Sequence, residues 1–287
     1  MIDILVLNYN DSETTSNFVK SVMGYPCIHK ILVVDNHSSD NSLKKLKVLE
    51  NDKVFVVDSG KNGGYGFGNN WGIQYLHEKF HSEHILICNP DVSFTEDTVC
   101  ILSSFLKNND DYAAVAPLMK IPGKGFQYSA LKDATLFSFI MSVELIFSKF
   151  FSPLYLNLSN RKCMETVDVF SLPGSLFMID INKFTKPKLY DENLFLYFEE
   201  FVLGRKLQET HYKAALLPNV FFIHNHSVSI SKTYKGVVDK HLVYLRSYRY
   251  IVKTYFKSNL FFRGLSYVMS AISLFEAVLI TLLKRLK

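Results

Sequence analysis

A chain of 287 residues is long enough for one large α/β domain or two small ones, and a hydrophobic content of 48% excludes a disordered chain. Residues 226–287 hold eleven Lys/Arg against two acidic residues, so this segment carries +9 and the remainder −4. Such a basic segment suits an anionic surface, either nucleic acid or phospholipid. Widely spaced cysteines without a C-x-x-C pair predict reduced core thiols of a cytoplasmic protein rather than metal ligands or disulfides: Cys27, Cys88, Cys100 and Cys163.

Apolar runs of strand length alternate with helical signals in the first part of the chain. Strands are predicted at residues 2–7, 31–34, 54–57, 85–88 and 113–117, and helices from residue 12, at 43–50, 71–80 and 96–106. Strands that alternate with helices favour a parallel, doubly wound sheet, so we predict an α/β fold.

Polar side chains follow three of these predicted strands. Tyr9 and Asn10 follow the first, Asp35 and Asn36 the second, and Asp91 the fourth. The carboxyl ends of parallel strands form the ligand crevice of open α/β sheets. A carboxylate there is a natural ligand for a hard divalent cation, which would bring phosphate with it. The alternative for each residue is an ordinary turn, since Asn and Asp favour turns.

A glycine-rich stretch, N-G-G-Y-G-F-G-N-N-W-G, occupies residues 62–72. Glycine tolerates positive φ and lets the backbone approach a ligand closely, and the helix predicted to start at residue 71 could face an anion with its first N–H groups. A flexible surface loop is the alternative. The spacing matches neither G-x-G-x-x-G nor the P-loop, which argues against a dinucleotide enzyme or a P-loop NTPase.

The motifs V-L-N-Y-N, V-V-D-N-x-S-x-D-x-S, N-G-G-Y-G-F-G-N-N and N-P-D occur in an order and spacing that resembles family 2 glycosyltransferases of the GT-A fold. The likeness is strongest to the rhamnosyltransferase-like branch that builds bacterial surface polysaccharide such as O-antigen or capsule, and it extends from residue 2 to about 255. The resemblance implies a Rossmann-like, mostly parallel sheet flanked by helices. It also implies a nucleotide-binding half at 1–117, an acceptor-binding and catalytic half at 118–229, and a helical, membrane-associating extension at 230–287.

The resemblance further implies a nucleotide-diphosphate sugar donor and Mg²⁺ or Mn²⁺ as cofactor. Asp91 takes the last position of a D-x-D-type metal motif, whose first position holds Asn89. The family's H-x-x-x-x-S falls on His224 and Ser229, so His224 would complete the metal site, with His226 as the fallback. The implied donor-binding residues are Tyr9, Asn10, Asp35, Asn36, Asn62, Gly63, Gly66, Asn70, Asn89 and Gly174.

Residues 190–205 resemble the family's F-D-x-x-[FY]-F-x-Y-x-E-D-x-D-L-x-x-R, in which the Asp of the E-D pair is the general base. Glu200 stands at that position, and Val202 replaces the second Asp. A partly buried acidic pair would raise one pKa towards working pH, which helps a base. The alternative is a solvated Glu pair at a helix start, where the helix dipole favours it.

The remaining predicted elements lie in the second half. Strands are predicted at residues 167–170, 175–179 and 216–223, and a helical pair at 131–151 that either packs in the core or contacts a membrane. A helix at 236–257 places Arg246, Arg249, Lys253 and Lys257 on one face. Residues 265–283 have Glu276 as their only charge, and a central acidic residue costs about 2.5–3.5 kcal/mol on insertion scales. We therefore expect a monotopic interfacial helix rather than a span or a packing helix.

Together these features predict an inverting, metal-dependent glycosyltransferase at the cytoplasmic face of the inner membrane. Its acceptor would be a polyprenyl-diphosphate-linked saccharide, rhamnose is one candidate for the transferred sugar, and no nucleic acid is expected as a partner. Two alternatives stay open. A catalytically degenerate GT-A protein that binds only nucleotide or membrane would fit Glu200, Val202 and Asn89. A sugar nucleotidyltransferase would need a basic phosphate-binding loop near the N-terminus, where residues 8–11 hold no Lys or Arg.

Overall fold

The computed structural model describes residues 1–127, 130–143, 145, 166–184, 186, 188–225 and 236–285. Within them lies one sheet of ten strands: β1 (Ile2–Asn8), β2 (Lys30–Asp35), β3 (Val54–Asp58), β4 (His84–Cys88), β5 (Val92–Ser93), β6 (Tyr112–Ile121), β7 (Gly125–Gln127), β8 (Val167–Val169), β9 (Leu176–Asp180) and β10 (Lys213–His224). The helices are α1 (Ser12–Val22), α2 (Ser42–Lys47), α3 (Tyr65–Phe80), α4 (Glu96–Asn108), α5 (Leu136–Met141), α6 (Glu199–Thr210), α7 (Val237–Thr254) and α8 (Leu260–Arg285).

The strand order is β3-β2-β1-β4-β9-β6-β10-β5, with β7 beside β6 and β8 beside β10. Strands β1 to β4 are mutually parallel, and β6 and β10 run in the same direction as they do. β9 runs the other way between β4 and β6. The predicted mostly parallel α/β sheet is confirmed. The predicted boundary between residues 117 and 118 falls inside β6, so both halves of the chain share this sheet.

Helices cover both faces of the sheet, as buried parallel strands require. Alternate residues of β1 face opposite sides: Ile4 and Val6 pack with α1 and α4, whereas Leu5 packs with α3 and α6. A third apolar cluster joins α5, α6, α7 and α8. Val202 is buried in this third cluster. The motif that residues 190–205 resemble has an Asp at this position, and an apolar cluster accommodates a valine better than a carboxylate.

The glycine-rich stretch is mostly helix, so the predicted start of α3 at residue 71 is wrong. α3 begins at Tyr65 and includes Gly66, Gly68 and Gly72. A Cβ at Gly68 or Gly72 would overlap the side chain of Leu7 or Leu5, respectively, on β1. Close packing of α3 on the sheet thus outweighs the low helix propensity of glycine, about 1 kcal/mol per residue. The alternative of a flexible surface loop is excluded for this stretch.

The C-terminal helices α7 and α8 pack against each other and against α5. α7 ends at Thr254, so Lys257 lies beyond the helix, with φ 47°. Of the residues described, only those of α8 form a helix long and apolar enough to cross a membrane, at residues 260–283. An 18-residue window within this segment has a mean hydropathy of 1.8, and 33% of that window is buried. Most of the helical pair predicted at 131–151 lies outside the described residues, apart from α5.

Candidate active site

The carboxyl ends of β1, β2 and β4 lie side by side, because Asn8 pairs with Asp35 and Val6 with Cys88 in the sheet register. The polar residues that follow these strands therefore share one edge, as the sequence predicts. Near this edge lie two further segments, the loop around Gly174 before β9 and the start of α6. We call this edge the rim.

Asp35 organises the first part of the rim. The side chain is 1% exposed, and its Oδ1 accepts hydrogen bonds from Asn8 Nδ2 (2.6 Å) and Ser38 Oγ (2.6 Å). Its Oδ2 accepts from the Ser38 amide (2.9 Å). Ser38 Oγ in turn accepts from the amide of Asn10, which has φ 52°. Asp35 thus fixes the loops after β1 and β2, and it leaves Tyr9 and Asn10 half-buried at the surface of the rim.

Asn36 ties the loop after β2 to the start of α3. Its Nδ2 donates to Asn62 Oδ1 (3.1 Å) and to the Gly64 carbonyl (3.1 Å), and its Oδ1 accepts from Ser59 Oγ (3.1 Å). Gly64 has φ 90°, and a Cβ there would overlap the carbonyl of Phe195. Asn62 and Gly63 are half-buried beside it, so this turn keeps some polar backbone open to solvent.

Asn70 is buried, at 1% exposure, and its polar atoms face the protein. Its Oδ1 accepts from the amides of Leu189 and Tyr190 (both 3.0 Å), and its Nδ2 donates to the Tyr190 carbonyl (2.9 Å). Gly66 lies against the same segment, because a Cβ there would come within 2.9 Å of Tyr190 Cβ. Both residues hold α3 to the segment that leads to α6. They would therefore support a donor site indirectly, by fixing α3, and would not contact the donor.

The loop at Gly174 and Ser175 joins three parts of the rim. Tyr65 Oη donates to the Gly174 carbonyl (2.7 Å), and the Asn89 amide donates to the Ser175 carbonyl (2.9 Å). The Gly174 amide donates to Glu200 Oε1 (3.3 Å). A side chain at residue 174 would sit 3.0 Å from that carboxylate oxygen, so glycine leaves room for Glu200.

The acidic pair is enclosed rather than solvated. Burial raises the pKa of Glu200, although hydrogen bonds from its own amide and that of Gly174 oppose the rise. Burial and the neighbouring Glu200 charge raise the pKa of Glu199 to about 8, and this side chain is 7% exposed. Before the pair, Tyr197 and Phe198 adopt left-handed backbone conformations with φ 74° and 69°. Such strained residues cluster at functional sites.

Asp91 and His224 meet where the start of β5 pairs with the end of β10. Asp91 Oδ2 lies 3.2 Å from His224 Nε2, with side-chain exposures of 9% and 11%. The backbone also holds them, since the Asn225 amide donates to the Asp91 carbonyl (2.9 Å). An octahedral Mg²⁺ keeps ligand atoms at about 2.1 Å, so neighbouring ligand atoms are roughly 3 Å apart. The observed spacing fits a shared divalent ion. The fallback ligand His226 and Ser229 lie outside the described residues.

The predicted donor-binding residues lie at the rim or beneath it, and they fall into two groups that differ in exposure. Tyr9, Asn10, Asn62, Gly63, Asn89 and Gly174 are half-buried at its surface, whereas Asp35, Asn36, Gly66 and Asn70 are buried beneath it. Sequence reasoning missed Asn8, Ser38 and Tyr65 as residues that build the rim. All three stand inside the motifs V-L-N-Y-N, V-V-D-N-x-S and G-G-Y-G, which is the signal that could have identified them.

Comparisons with known proteins show the family and the fold of this chain. A family model described as Glycosyl transferase family 2 matches residues 3–182. The low-salt glycan biosynthesis hexosyltransferase Agl10 of Haloferax volcanii is 25% identical over 228 residues, covering 79% of this chain and 68% of that protein. Rhamnosyltransferase WbbL of Escherichia coli K12 is 23% identical over 277 residues, covering 93% and 99%.

Two solved structures share the fold. A TarS fragment from S. aureus has a TM-score of 0.54 at 14% identity and covers 88% of this chain, which spans 65% of that fragment. The mannosyltransferase PcManGT from Pyrobaculum calidifontis, in complex with GDP-Man and Mn²⁺, has a TM-score of 0.53 at 12% identity and covers 95% of this chain and 69% of its own. The expected fold class is thereby confirmed.

Proposed function

Because the chain belongs to glycosyl transferase family 2, we propose that it transfers a hexosyl residue, with inversion, from a nucleotide-diphosphate sugar to a saccharide acceptor. The observation that carries this proposal is the position of Glu200. Its carboxylate accepts a hydrogen bond from the amide of Gly174, and the same loop accepts one from the amide of Asn89. A carboxylate with a raised pKa therefore lies at the end of the rim. The likeness to WbbL makes rhamnose the first sugar to test.

The donor would lie along the exposed residues of the rim. Tyr9 and Asn10 would contact the base and ribose, and Asn62, Gly63, Asn89 and Gly174 the remaining parts of the nucleotide sugar. A TarS structure holds UDP and the PcManGT structure holds GDP-Man, which supports a nucleotide-sugar donor on this fold. The buried set of Asp35, Asn36, Gly66 and Asn70 would hold these contacts in place.

Asp91 and His224 would hold the Mg²⁺ or Mn²⁺ of this site. Their contact atoms offer one carboxylate oxygen and one imidazole nitrogen at a spacing that fits one ion. A bound ion would neutralise negative charge on the leaving diphosphate. Asn89 contributes no carboxylate, so the remaining ligand positions would fall to donor oxygens and water.

Glu200 would act as the general base. It accepts the proton of the acceptor hydroxyl while the oxygen forms a bond to the anomeric carbon and the bond from that carbon to the diphosphate breaks. Attack from the face opposite the leaving group inverts the configuration. A base works best with a pKa near the operating pH, and burial moves Glu200 in that direction. Glu199, which stays protonated up to about pH 8, limits the negative charge near the leaving diphosphate.

Matched variants of the acidic pair test this proposal. We expect Glu200→Gln to lower transfer by about 10²–10⁴-fold while it leaves donor affinity within a few-fold, because an amide cannot accept the proton. Glu199→Gln is the control, since it keeps the shape of the neighbouring side chain. A Glu200→Gln enzyme that transfers sugar at the wild-type rate would contradict the assignment. A thermal-shift panel of nucleotide sugars on the wild type would identify the donor.

The acceptor would be a polyprenyl-diphosphate-linked saccharide at the cytoplasmic face of the inner membrane. The surface of α8 supports the membrane location. Its outward face is apolar, and the large apolar residues exposed along it include Leu260 (83%), Phe261 (72%), Phe275 (69%) and Leu282 (51%). Arg246 and Lys253 are exposed on the adjoining α7, and Arg249 lies over the Tyr267 ring of α8 (5.1 Å to the centroid). Such a basic and apolar surface suits an anionic leaflet.

Vesicle sedimentation tests the membrane contact. Serine substitution of Phe261, Phe275 and Leu282 together should reduce binding to anionic vesicles by at least about tenfold, because each loses an apolar contribution of roughly 1.5–3 kcal/mol on full burial. The control is serine at Phe126 and Phe221, which are exposed to 49% and 46% on β7 and β10. Binding that persists in the α8 variant, or an equal loss in the control, would contradict the proposal.

A further inference from the structure

A cluster of side chains of the types that ligate metals lies outside the rim. Among the residues described, Cys27, Glu96 and Cys100 have ligand atoms that all lie within 4.8 Å of one another. Glu96 and Cys100 are four residues apart in α4 and therefore share one face of that helix. Cys27 comes from the segment between α1 and β2, more than sixty residues away in the chain.

Two hydrogen bonds hold these segments together before any ion binds. The Cys27 amide donates to Glu96 Oε1 (2.8 Å), and Tyr25 Oη donates to the Phe94 carbonyl (2.8 Å). Both thiols are half-buried, so the cluster is enclosed on the protein side and reachable from solvent. Cys88 differs, because it is buried at 3% exposure in β4, away from this cluster.

We propose that Cys27, Glu96 and Cys100 form a Zn²⁺ site, with water as the fourth ligand. Thiolates favour Zn²⁺ over Mg²⁺ or Ca²⁺, and a tetrahedral ion with Zn–S bonds of about 2.3 Å places two sulfurs roughly 3.8 Å apart. The carboxylate has two oxygens, so the bond from the Cys27 amide occupies one and leaves a second for the ion. This proposal departs from the prediction of reduced core thiols for Cys27 and Cys100, and the experiments below decide between the two.

Zinc binding releases two thiol protons to solvent as the two Zn–S bonds form. The affinity for zinc must then increase with pH. The ion would fix the start of α4 against the link between α1 and β2, and so restrain the short segment that leads from Asp91 into α4.

Cobalt substitution in the full-length protein tests the site. Addition of Co²⁺ to reduced protein should produce a thiolate-to-cobalt charge-transfer band at one equivalent, and Zn²⁺ should displace it. The Asp91–His224 site contains no sulfur and cannot produce this band. Zinc should also raise the Tm by on the order of 5 °C at saturation.

Single variants assign the ligands. Cys27→Ser and Cys100→Ser should each abolish the cobalt band and lower zinc affinity by about 100-fold or more, and Glu96→Gln should weaken binding. Cys88→Ala and Cys163→Ser should retain the band; Cys163 lies outside the described residues, which makes this control necessary. A wild type without the band, a band that survives Cys100→Ser, or a Cys27–Cys100 disulfide in the protein purified under argon would overturn the proposal.

Discussion

The buried amide of Asn70 provides a direct test of how the rim is built. Asn70→Ala removes four hydrogen bonds: it leaves two amides and one carbonyl of residues 189 and 190 without this partner, and it also removes the bond from Nδ2 to Glu192 Oε1 (3.2 Å). A buried polar group that loses its partner costs about 1–3 kcal/mol, and alanine recovers up to about 0.7 kcal/mol of helix propensity. We therefore expect the free energy of unfolding to fall by about 3 kcal/mol.

Urea unfolding measures this change, and Asn69→Ala is its matched control. Asn69 stands in the same helix, is equally buried at 1% exposure, and makes one side-chain bond within the described residues, to the Tyr65 carbonyl (3.0 Å). Its replacement should cost less than about 1 kcal/mol. Equal losses in the two variants would refute the reasoning. An Asn70→Ala protein of unchanged stability that no longer binds nucleotide sugar would instead assign Asn70 a direct donor contact.

Two further predictions concern the metal site and the acidic pair. Asp91→Ala should remove divalent-dependent donor binding, and His224→Ala should weaken it more than His226→Ala; full activity in EDTA would contradict the metal site. The raised pKa of Glu199 means that the folded protein holds a proton which the unfolded chain loses above pH 4.5. Relative to Glu199→Gln, the wild type should therefore lose about 1.4 kcal/mol of stability per pH unit between pH 4.5 and about 8, and a pH-independent difference would exclude the buried pair.

Much of the rim follows from strand periodicity and one topological rule. Asn10, Asp35 and Asp91 follow predicted strands, and parallel strands bring their carboxyl ends to one edge. The antiparallel direction of β9 could not be read in this way, because an apolar run of five residues looks alike in either direction. Yet β9 determines where Gly174 lies, and the Gly174 amide in turn donates to the Glu200 carboxylate.

The glycines of α3 and two of the cysteines show features of the structure that local sequence patterns do not predict. Helix propensity argues against a helix that contains Gly66, Gly68 and Gly72, and only the packed structure shows why glycine is needed there. Gly68 and Gly72 lie against β1, and Gly66 lies against Tyr190. The approach of two cysteines could not be predicted for a related reason. Cys27 and Cys100 have no recognisable spacing, and they become neighbours only because α1 and α4 pack on the same face of the sheet. Both features arise from tertiary contacts that a single sequence does not encode locally.

The direction in which α8 faces its polar side chains could be determined only from the residues that pack against this helix. Ser270, Ser273 and Glu276 are 5% exposed or less, so the polar side of the helix faces the protein and its apolar side faces outward. Ser273 Oγ donates to the Val143 carbonyl (2.6 Å), and Glu276 Oε2 accepts from the Leu145 amide (2.8 Å). A transmembrane orientation would break these bonds and expose a carboxylate to lipid, at about 2.5–3.5 kcal/mol on insertion scales. A helix that lies along the membrane surface keeps every one of them and buries only the apolar side, which favours the interfacial arrangement.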